Sequence, residues 1–271
     1  MLVNVSQIVW VRRYVRISFM SGHSKWSTIK RQKGAVDIKR GLTFTKVANA
    51  ITIAVKQGSS GDPQSNPRLR AVLDDAKAVN MPKDNVQRAI DRGLGKLPGQ
   101  NIEEVTFEGF GPGKVAFIVE GVTDNKLRTL QEIKSLFEHS GGNLAGQGAV
   151  SYMFDRVGQI RVRQVTGDRE QEMLQLIDLG AKDVEDFMED NIQRYLVYTE
   201  SLELNTMGNK ITQAGYGVEQ AEIVYKPNTM VEIKDKETAQ KVLDFAGKLE
   251  ELDDVQKVYA NFDIQDNLIN Q

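Results

Sequence analysis

The feature that most constrains this chain is the division of its charge along the sequence. Residues 1–96 contain 18 Lys and Arg against 6 Asp and Glu, a net charge of +12. Residues 97–271 contain 17 against 31, a net charge of −14. This division indicates separate domains with opposite electrostatic character. A length of 271 residues also exceeds what one core usually organises, so we expect two or three domains.

The basic excess is concentrated near the N terminus. Residues 21–60 contain one acidic residue, Asp37, against eight basic residues, which are Lys25, Lys30, Arg31, Lys33, Lys39, Arg40, Lys46 and Lys56. Such a concentration of positive charge is typical of a surface that binds a polyanion. A solvated basic helical surface is the alternative, and the asymmetry between the two parts of the chain favours nucleic acid.

Composition argues against several classes of site. The chain has no Cys, and its only His residues are His23 and His139, which leaves no material for a zinc finger, an iron–sulfur site or a Cys nucleophile. Residues 108–115 fail the phosphate-loop pattern, because Glu108 replaces the first Gly and Val115 replaces the Ser or Thr that holds magnesium. We predict a turn there, and a protein that is not an enzyme, with no catalytic residues, no cofactor and no metal.

The first nineteen residues differ from the rest of the chain. Their arginines follow the apolar stretch, which argues against a secretory signal, and the eleven residues of that stretch are too few to cross a bilayer. An organellar transit peptide is one interpretation, and an upstream start before Met20 is the plainer one. We expect residues 1–19 to be a disordered leader outside the native chain, and the protein to be cytoplasmic without a membrane partner.

Hydrophobic periodicity predicts an α+β fold. We expect a basic helical domain over residues 20–96, an α+β domain over residues 97–156 plus 227–271, and an inserted βαββαβ domain over residues 157–226. The two α+β modules are expected to be ferredoxin-like or related, with the second inserted in the first. Among their elements are a helix over residues 126–139 and a strand over residues 149–154. The acidic run Glu250, Glu251, Asp253 and Asp254 is interpreted as a solvated helix end.

Four stretches resemble the YebC family of bacterial regulators, which is related to the mitochondrial translational activator of cytochrome c oxidase. They are GHSKWSTIKRQKGAVDIKRGLTFTKV (22–47), NPRLRAVLDDAKAVNMPKDNVQRAIDRG (66–93), FEGFGPGKVAFIVEGVTDNKLRT (107–129) and SGGNLAGQGAVSYMF (140–154). The chain departs from the family pattern at Ala50, Leu127 and Val157. The resemblance implies a native start at Met20 and no nucleotide cofactor.

Two functions fit the sequence and its resemblance. In the first, the basic domain binds DNA and the protein is a transcriptional regulator. In the second, the GHSKW arm contacts ribosomal RNA, Trp26 stacks on an unpaired base, and the protein assists translation on the ribosome. We predict a nucleic-acid-binding regulator; its target, direction of regulation and oligomeric state stay open. The candidate contact residues are His23, Lys25, Trp26, Lys30, Arg31, Lys33, Lys39, Arg40, Lys46, Arg88 and Arg92.

Overall fold

The computed structural model describes residues 40–97, 102–189, 192–265 and 268, and it divides the chain into two compact units. One unit contains residues 156–226. The other contains the N-terminal helices together with the sequence that flanks this segment on both sides. The predicted fold class, in which N-terminal helices precede one α+β module that is interrupted by another, is confirmed.

Seven α-helices and ten strands are present in the described residues. The helices are α1 Arg40–Gly58, α2 Pro67–Ala78, α3 Lys83–Gly93, α4 Lys126–His139, α5 Arg169–Asp178, α6 Leu204–Gln213 and α7 Lys236–Glu250. The strands are β1 Glu103–Phe110, β2 Ala116–Thr123, β3 Asn143–Ala145, β4 Phe154–Arg163, β5 Asp183–Glu189, β6 Ile192–Glu200, β7 Gly217–Pro227, β8 Val231–Ile233, β9 Val255–Ala260 and β10 Phe262–Ile264.

Helices α1, α2 and α3 form a small bundle around the apolar face of α1. Ile51 and Val55 of that face are fully buried against the other two helices. Gly93 lets α3 approach α1 closely, because a Cβ at this position would lie 2.6 Å from the carbonyl oxygen of Thr52. Asn66 caps α2 by accepting from the Leu69 amide and also donates to the Ala54 carbonyl at 2.8 Å. These contacts fix α2 and α3 against α1.

The first four-stranded sheet has the strand order β3-β1-β2-β9, with antiparallel neighbours throughout. Its core includes the apolar sides of α4 and α7. Three aromatic rings meet edge to face in that core, with centroids 5.0 Å apart for Phe117 and Phe245 and 4.9 Å apart for Phe137 and Phe245. Strand β9 from the C-terminal part of the chain thus completes a sheet begun before the 156–226 segment.

Residues 156–226 form a second sheet with the order β5-β6-β4-β7. Together with α5 and α6, these strands give the βαββαβ arrangement of a ferredoxin-like module. Its core is formed by Ile160 and Val162 of β4, Tyr195 and Val197 of β6, and Leu176 and Ile211 of the two helices. This unit therefore has a hydrophobic core of its own.

The strand that we predicted over residues 149–154 is wrong. A 3₁₀ turn, Ser151–Met153, stands there instead, and β4 begins only at Phe154. The reason lies 40 residues upstream: the buried carboxylate of Glu108 accepts hydrogen bonds from the amides of Gly148, Val150 and Ser151 at 2.8–3.0 Å. Amides taken by a side chain cannot join a sheet, so this segment forms a turn.

The GFGPG segment is the turn that the sequence predicts. The Gly111 amide donates to the Val115 carbonyl at 2.8 Å, and Gly113 adopts a φ of 68°. Lys114 follows with a φ of 59°. The turn closes the hairpin of β1 and β2, which run antiparallel along their whole length.

Candidate nucleic-acid interface

Most of the predicted contact residues lie outside the residues that the structure describes. These are His23, Lys25, Trp26, Lys30, Arg31, Lys33 and Lys39. Arg40 is the first residue of α1. The structure therefore places the side chains of three predicted residues, Lys46, Arg88 and Arg92.

Lys46 is engaged within the protein. It projects from the first half of α1, where its Nζ donates to the carbonyl oxygen of Glu250 at 2.5 Å. Glu250 is the last residue of α7 and begins the acidic turn that leads to β9. Lys46 thus attaches the start of the bundle to this turn, a role that its position in a basic segment did not indicate.

Arg88 and Arg92 lie four residues apart on α3 and so share one side of that helix. Arg88 is exposed and has no hydrogen bond or ion pair among the described residues, and the same holds for Lys83 at the start of the helix. The opposite side of α3 packs on α1 through Ala89 and Ile90. Lys83 and Arg88 are therefore exposed cations on a rigid element, with the exposed acid Asp84 between them in the sequence, and Lys83 is a basic residue that our sequence analysis missed.

Other basic residues of the bundle have partners in the chain. Lys56 donates to the Ile102 carbonyl at 2.8 Å, and Arg68 forms an ion pair with Glu104 at 2.7 Å. Ile53 of α1 also packs against Ile102 and Val122 in a small apolar cluster. These contacts hold the bundle on the α+β part of the same unit.

A cleft of about 520 Å³ separates the bundle from that α+β part. Arg92 lines it from α3, and its Nε is buried without a hydrogen-bond partner in the described structure. The opposite wall includes Arg128 of α4 and the acidic turn that follows α7. The two predicted arginines of α3 are thus divided, with Arg88 on the outer surface and Arg92 in a cleft.

Asp254 closes the acidic turn, and it is not the solvated surface residue that we expected. Its side chain is only 13% exposed. One carboxylate oxygen accepts from Thr129 Oγ1 at 2.6 Å, Arg128 at 2.8 Å and Thr123 Oγ1 at 3.0 Å. Burial alone would raise the pKa of Asp254, but these donors outweigh burial and hold the pKa below its ordinary value.

We predict that Asp254→Asn lowers the free energy of unfolding at pH 7 by about 1.5–3 kcal/mol, the usual contribution of a hydrogen bond to a charged group. Because the folded pKa is depressed, the stabilisation by Asp254 is present above its ordinary pKa and is lost as the pH falls through the folded value. Denaturant unfolding from pH 7 to pH 3 should therefore show a shallower acid loss in the variant. If wild type and the Asp254→Asn variant lost equal stability between pH 7 and pH 3, the carboxylate of Asp254 would not be the source of this pH dependence.

Three arginines of the 156–226 unit are committed to carboxylates. Arg161 pairs with Glu189 and, at 3.0 Å, with Glu219. Arg163 pairs with Glu219 at 3.0 Å, and Arg194 pairs with the same Glu219 at 2.9 Å. Internal pairing of this kind leaves these arginines little capacity to neutralise phosphate groups.

The described residues contain no cluster of His, Asp and Glu side chains arranged to hold a metal ion. Over the same ranges, none of the helices combines the length and the apolar character that crossing a bilayer demands.

Comparison with known proteins identifies the family to which this chain belongs. Residues 24–96 match the TACO1/YebC protein N-terminal domain, and residues 102–262 match the TACO1/YebC second and third domain. The chain belongs to the TACO1/YebC family. The resemblance seen in the sequence motifs is thereby confirmed over both the basic and the acidic parts of the chain.

Relatives within the TACO1/YebC family cover nearly the whole chain. A probable transcriptional regulatory protein of Fusobacterium nucleatum is 48% identical over 252 residues, which cover 93% of this chain and 99% of the relative. One from Geobacter sulfurreducens is 48% identical over 245 residues, or 90% of this chain and 96% of the relative. The crystal structure of a conserved hypothetical protein from Aquifex aeolicus superposes with a TM-score of 0.76 at 41% identity, covering 87% of this chain and 95% of that one.

Proposed function

We propose that this protein regulates gene expression by binding DNA through residues 21–96. The observation that carries the proposal is the net charge of +12 over residues 1–96, beside a net charge of −14 over the remaining chain. A polyanion is attracted to the first part and repelled by the second. Relatives named as probable transcriptional regulatory proteins support the regulatory role.

The proposed interface has two components. The first is the basic segment, residues 21–39, which contains five Lys and Arg against one acid. The second is helix α3, on which Lys83 and Arg88 are exposed cations that the described structure does not pair. Contacts from these residues go to phosphates and position the protein on the duplex, while base reading would need Asn85 or Arg88 to reach a groove edge.

The salt dependence of binding tests the proposal. We predict that affinity of the full chain for duplex DNA falls linearly on a log–log plot, with a slope near −0.9 for each phosphate neutralised. Fluorescence anisotropy with a labelled duplex at several salt concentrations measures the slope. Affinity that does not change with salt would contradict a phosphate-based interface.

Trp26 distinguishes DNA from single-stranded RNA as the target. If the basic segment stacks on exposed bases, Trp26→Ala should weaken binding to unpaired RNA by about 1–3 kcal/mol and leave duplex DNA binding nearly unchanged. If Trp26 is instead a buried anchor, the same substitution should lower the free energy of unfolding by about 3–5 kcal/mol. Binding to RNA and binding to duplex DNA should then weaken to a similar extent. Binding to both nucleic acids, with a melting curve of the variant, separates these outcomes. Selective loss of duplex binding at unchanged stability would contradict the RNA alternative.

A further inference from the structure

The cleft between the bundle and the α+β part contains polar groups that the fold leaves without partners. Asn49 of α1 lines the cleft, is only 8% exposed, and forms no hydrogen bond in the described structure. Arg92 lines the same cleft, and its Nε is buried without a hydrogen-bond partner in the described structure. Buried amide and guanidinium groups are normally hydrogen-bonded, because leaving them unsatisfied costs free energy. Both groups therefore indicate a ligand that offers hydrogen-bonding atoms.

The rim of the cleft is acidic. Glu132, Glu251 and Asp253 are exposed there and have no ion pair among the described residues. Asp124 and Asp254 also line the cleft, but both are bound to Arg128. Three uncompensated carboxylates repel a polyanion and attract a ligand with several positive charges.

An extended basic peptide offers both the hydrogen-bonding atoms and the positive charges that such a ligand needs. Its carbonyl oxygens can accept from Asn49 and Arg92, and its Lys and Arg side chains can reach the carboxylates of the rim. A volume of about 520 Å³ lies within the range of pockets that hold a few residues of peptide or a compound of similar size. We propose that the cleft binds the basic segment of this same chain, residues 21–39.

The position of α1 supports this choice of occupant. The segment joins α1 at Arg40, and the bond from Lys46 to the Glu250 carbonyl holds this end of α1 beside the acidic turn. Asn49 lies about 14 Å along the helix from Arg40, at 1.5 Å per residue. Lys33, seven residues before Arg40, can reach about 25 Å, since an extended chain spans up to about 3.5 Å per residue. The short connection also makes the local concentration high, so weak ion pairs suffice.

Docking in the cleft restricts the proposed nucleic-acid interface. The cations of the basic segment cannot face the acidic rim and a phosphate backbone at once, so the two ligands compete. This consequence rests on the proposed function, whereas the docking itself does not. The cleft would then weaken non-specific binding and release the basic segment only to nucleic acid that binds well.

The test compares two full-length variants that lose the same number of acidic charges. In the cleft variant, Glu132→Gln, Glu251→Gln and Asp253→Asn neutralise the rim. In the control variant, Glu170→Gln, Asp178→Asn and Glu203→Gln remove exposed acids from the 156–226 unit. Trypsin cleavage after Lys30, Arg31 and Lys33 is followed by mass spectrometry without nucleic acid, and duplex DNA affinity is measured separately.

Docking predicts that the cleft variant is cleaved about three- to tenfold faster than the control at low salt, because three exposed ion pairs are each weak. Its DNA affinity should rise by a similar factor over the control, and both differences should shrink in high salt. Equal cleavage rates in the two variants would overturn the docking, whatever the DNA result. Faster cleavage in the cleft variant, in a protein whose variants all fail to bind DNA, would support the docking and refute the proposed function.

Discussion

Replacing the five basic residues of residues 21–39 by glutamine is expected to reduce the affinity for duplex DNA by about 10³- to 10⁴-fold near 0.1 M salt. The residues are Lys25, Lys30, Arg31, Lys33 and Lys39. Each cation that neutralises a phosphate releases counterions, and this release is the main source of affinity that does not depend on sequence. The salt slope should also become shallower by about one for each phosphate-contacting residue removed.

A control variant loses the same number of positive charges as the variant of residues 21–39, but from other parts of the chain. Lys126, Arg156, Lys234, Lys236 and Lys248 are five exposed basic residues outside residues 1–96. Their replacement by glutamine should weaken DNA binding by less than about tenfold, because they act only through the screened long-range field. Similar losses in the two variants would show that net charge, and not the basic segment, determines binding.

Local signals predicted the elements whose stabilising contacts are also local. The helix predicted over residues 126–139 is α4, because Asn125 caps it by accepting from the Arg128 amide and its apolar residues recur at helical spacing. Asn66 likewise caps α2, and Pro67 is its first residue, so the start of that helix also depends on local residues. In both cases the residues that decide the boundary lie within one turn of it, so a sequence window contains the whole cause.

The failures involve contacts between residues far apart in the sequence. Glu108 determines the turn at residues 148–151, and Asp254 is enclosed by Thr123, Arg128 and Thr129, about 125 residues earlier. Lys46 was expected to face a polyanion, and it binds a carbonyl 204 residues away. A charged residue in a polar run has the same local pattern whether it is solvated or buried, so only the tertiary structure distinguishes the two.

For the candidate site, the sequence predicted which residues carry positive charge, but not which of them lie on the outer surface and which lie in a cleft. Arg88 and Arg92 form one row on a helical projection, and the structure places one on the outer surface and the other in a cleft. The unpaired state of Lys83 also depends on which acids lie within reach after folding. Charge can be counted in a sequence, whereas the pairing of charges requires distances.

Glu108→Ala is expected to be the most damaging single substitution in the β3-β1-β2-β9 sheet. It would leave the amides of Gly148, Val150 and Ser151 without their acceptor, and each buried donor left unsatisfied costs about 1–3 kcal/mol. Allowing for some access of water to the loop, we expect a loss of about 3–5 kcal/mol in the free energy of unfolding. Amide hydrogen exchange at residues 148–151 should accelerate by a larger factor than exchange in β1 and β2.

Burial and hydrogen bonding act in opposite directions on Glu108, and the balance predicts its behaviour in acid. Burial alone would raise the pKa of this carboxyl, but the three backbone amides outweigh it and lower the pKa from its ordinary 4.5. Glu108 therefore stabilises the fold above that ordinary value, and the stabilisation disappears as the pH falls through the lowered one. Wild type should lose stability below about pH 4.5 more steeply than Glu108→Ala, which has already lost the contribution. The control is Glu103→Ala, an exposed glutamate on the same strand without a partner in the described structure. If both substitutions gave equal stability and equal acid profiles, the carboxylate of Glu108 would have no part in holding the loop.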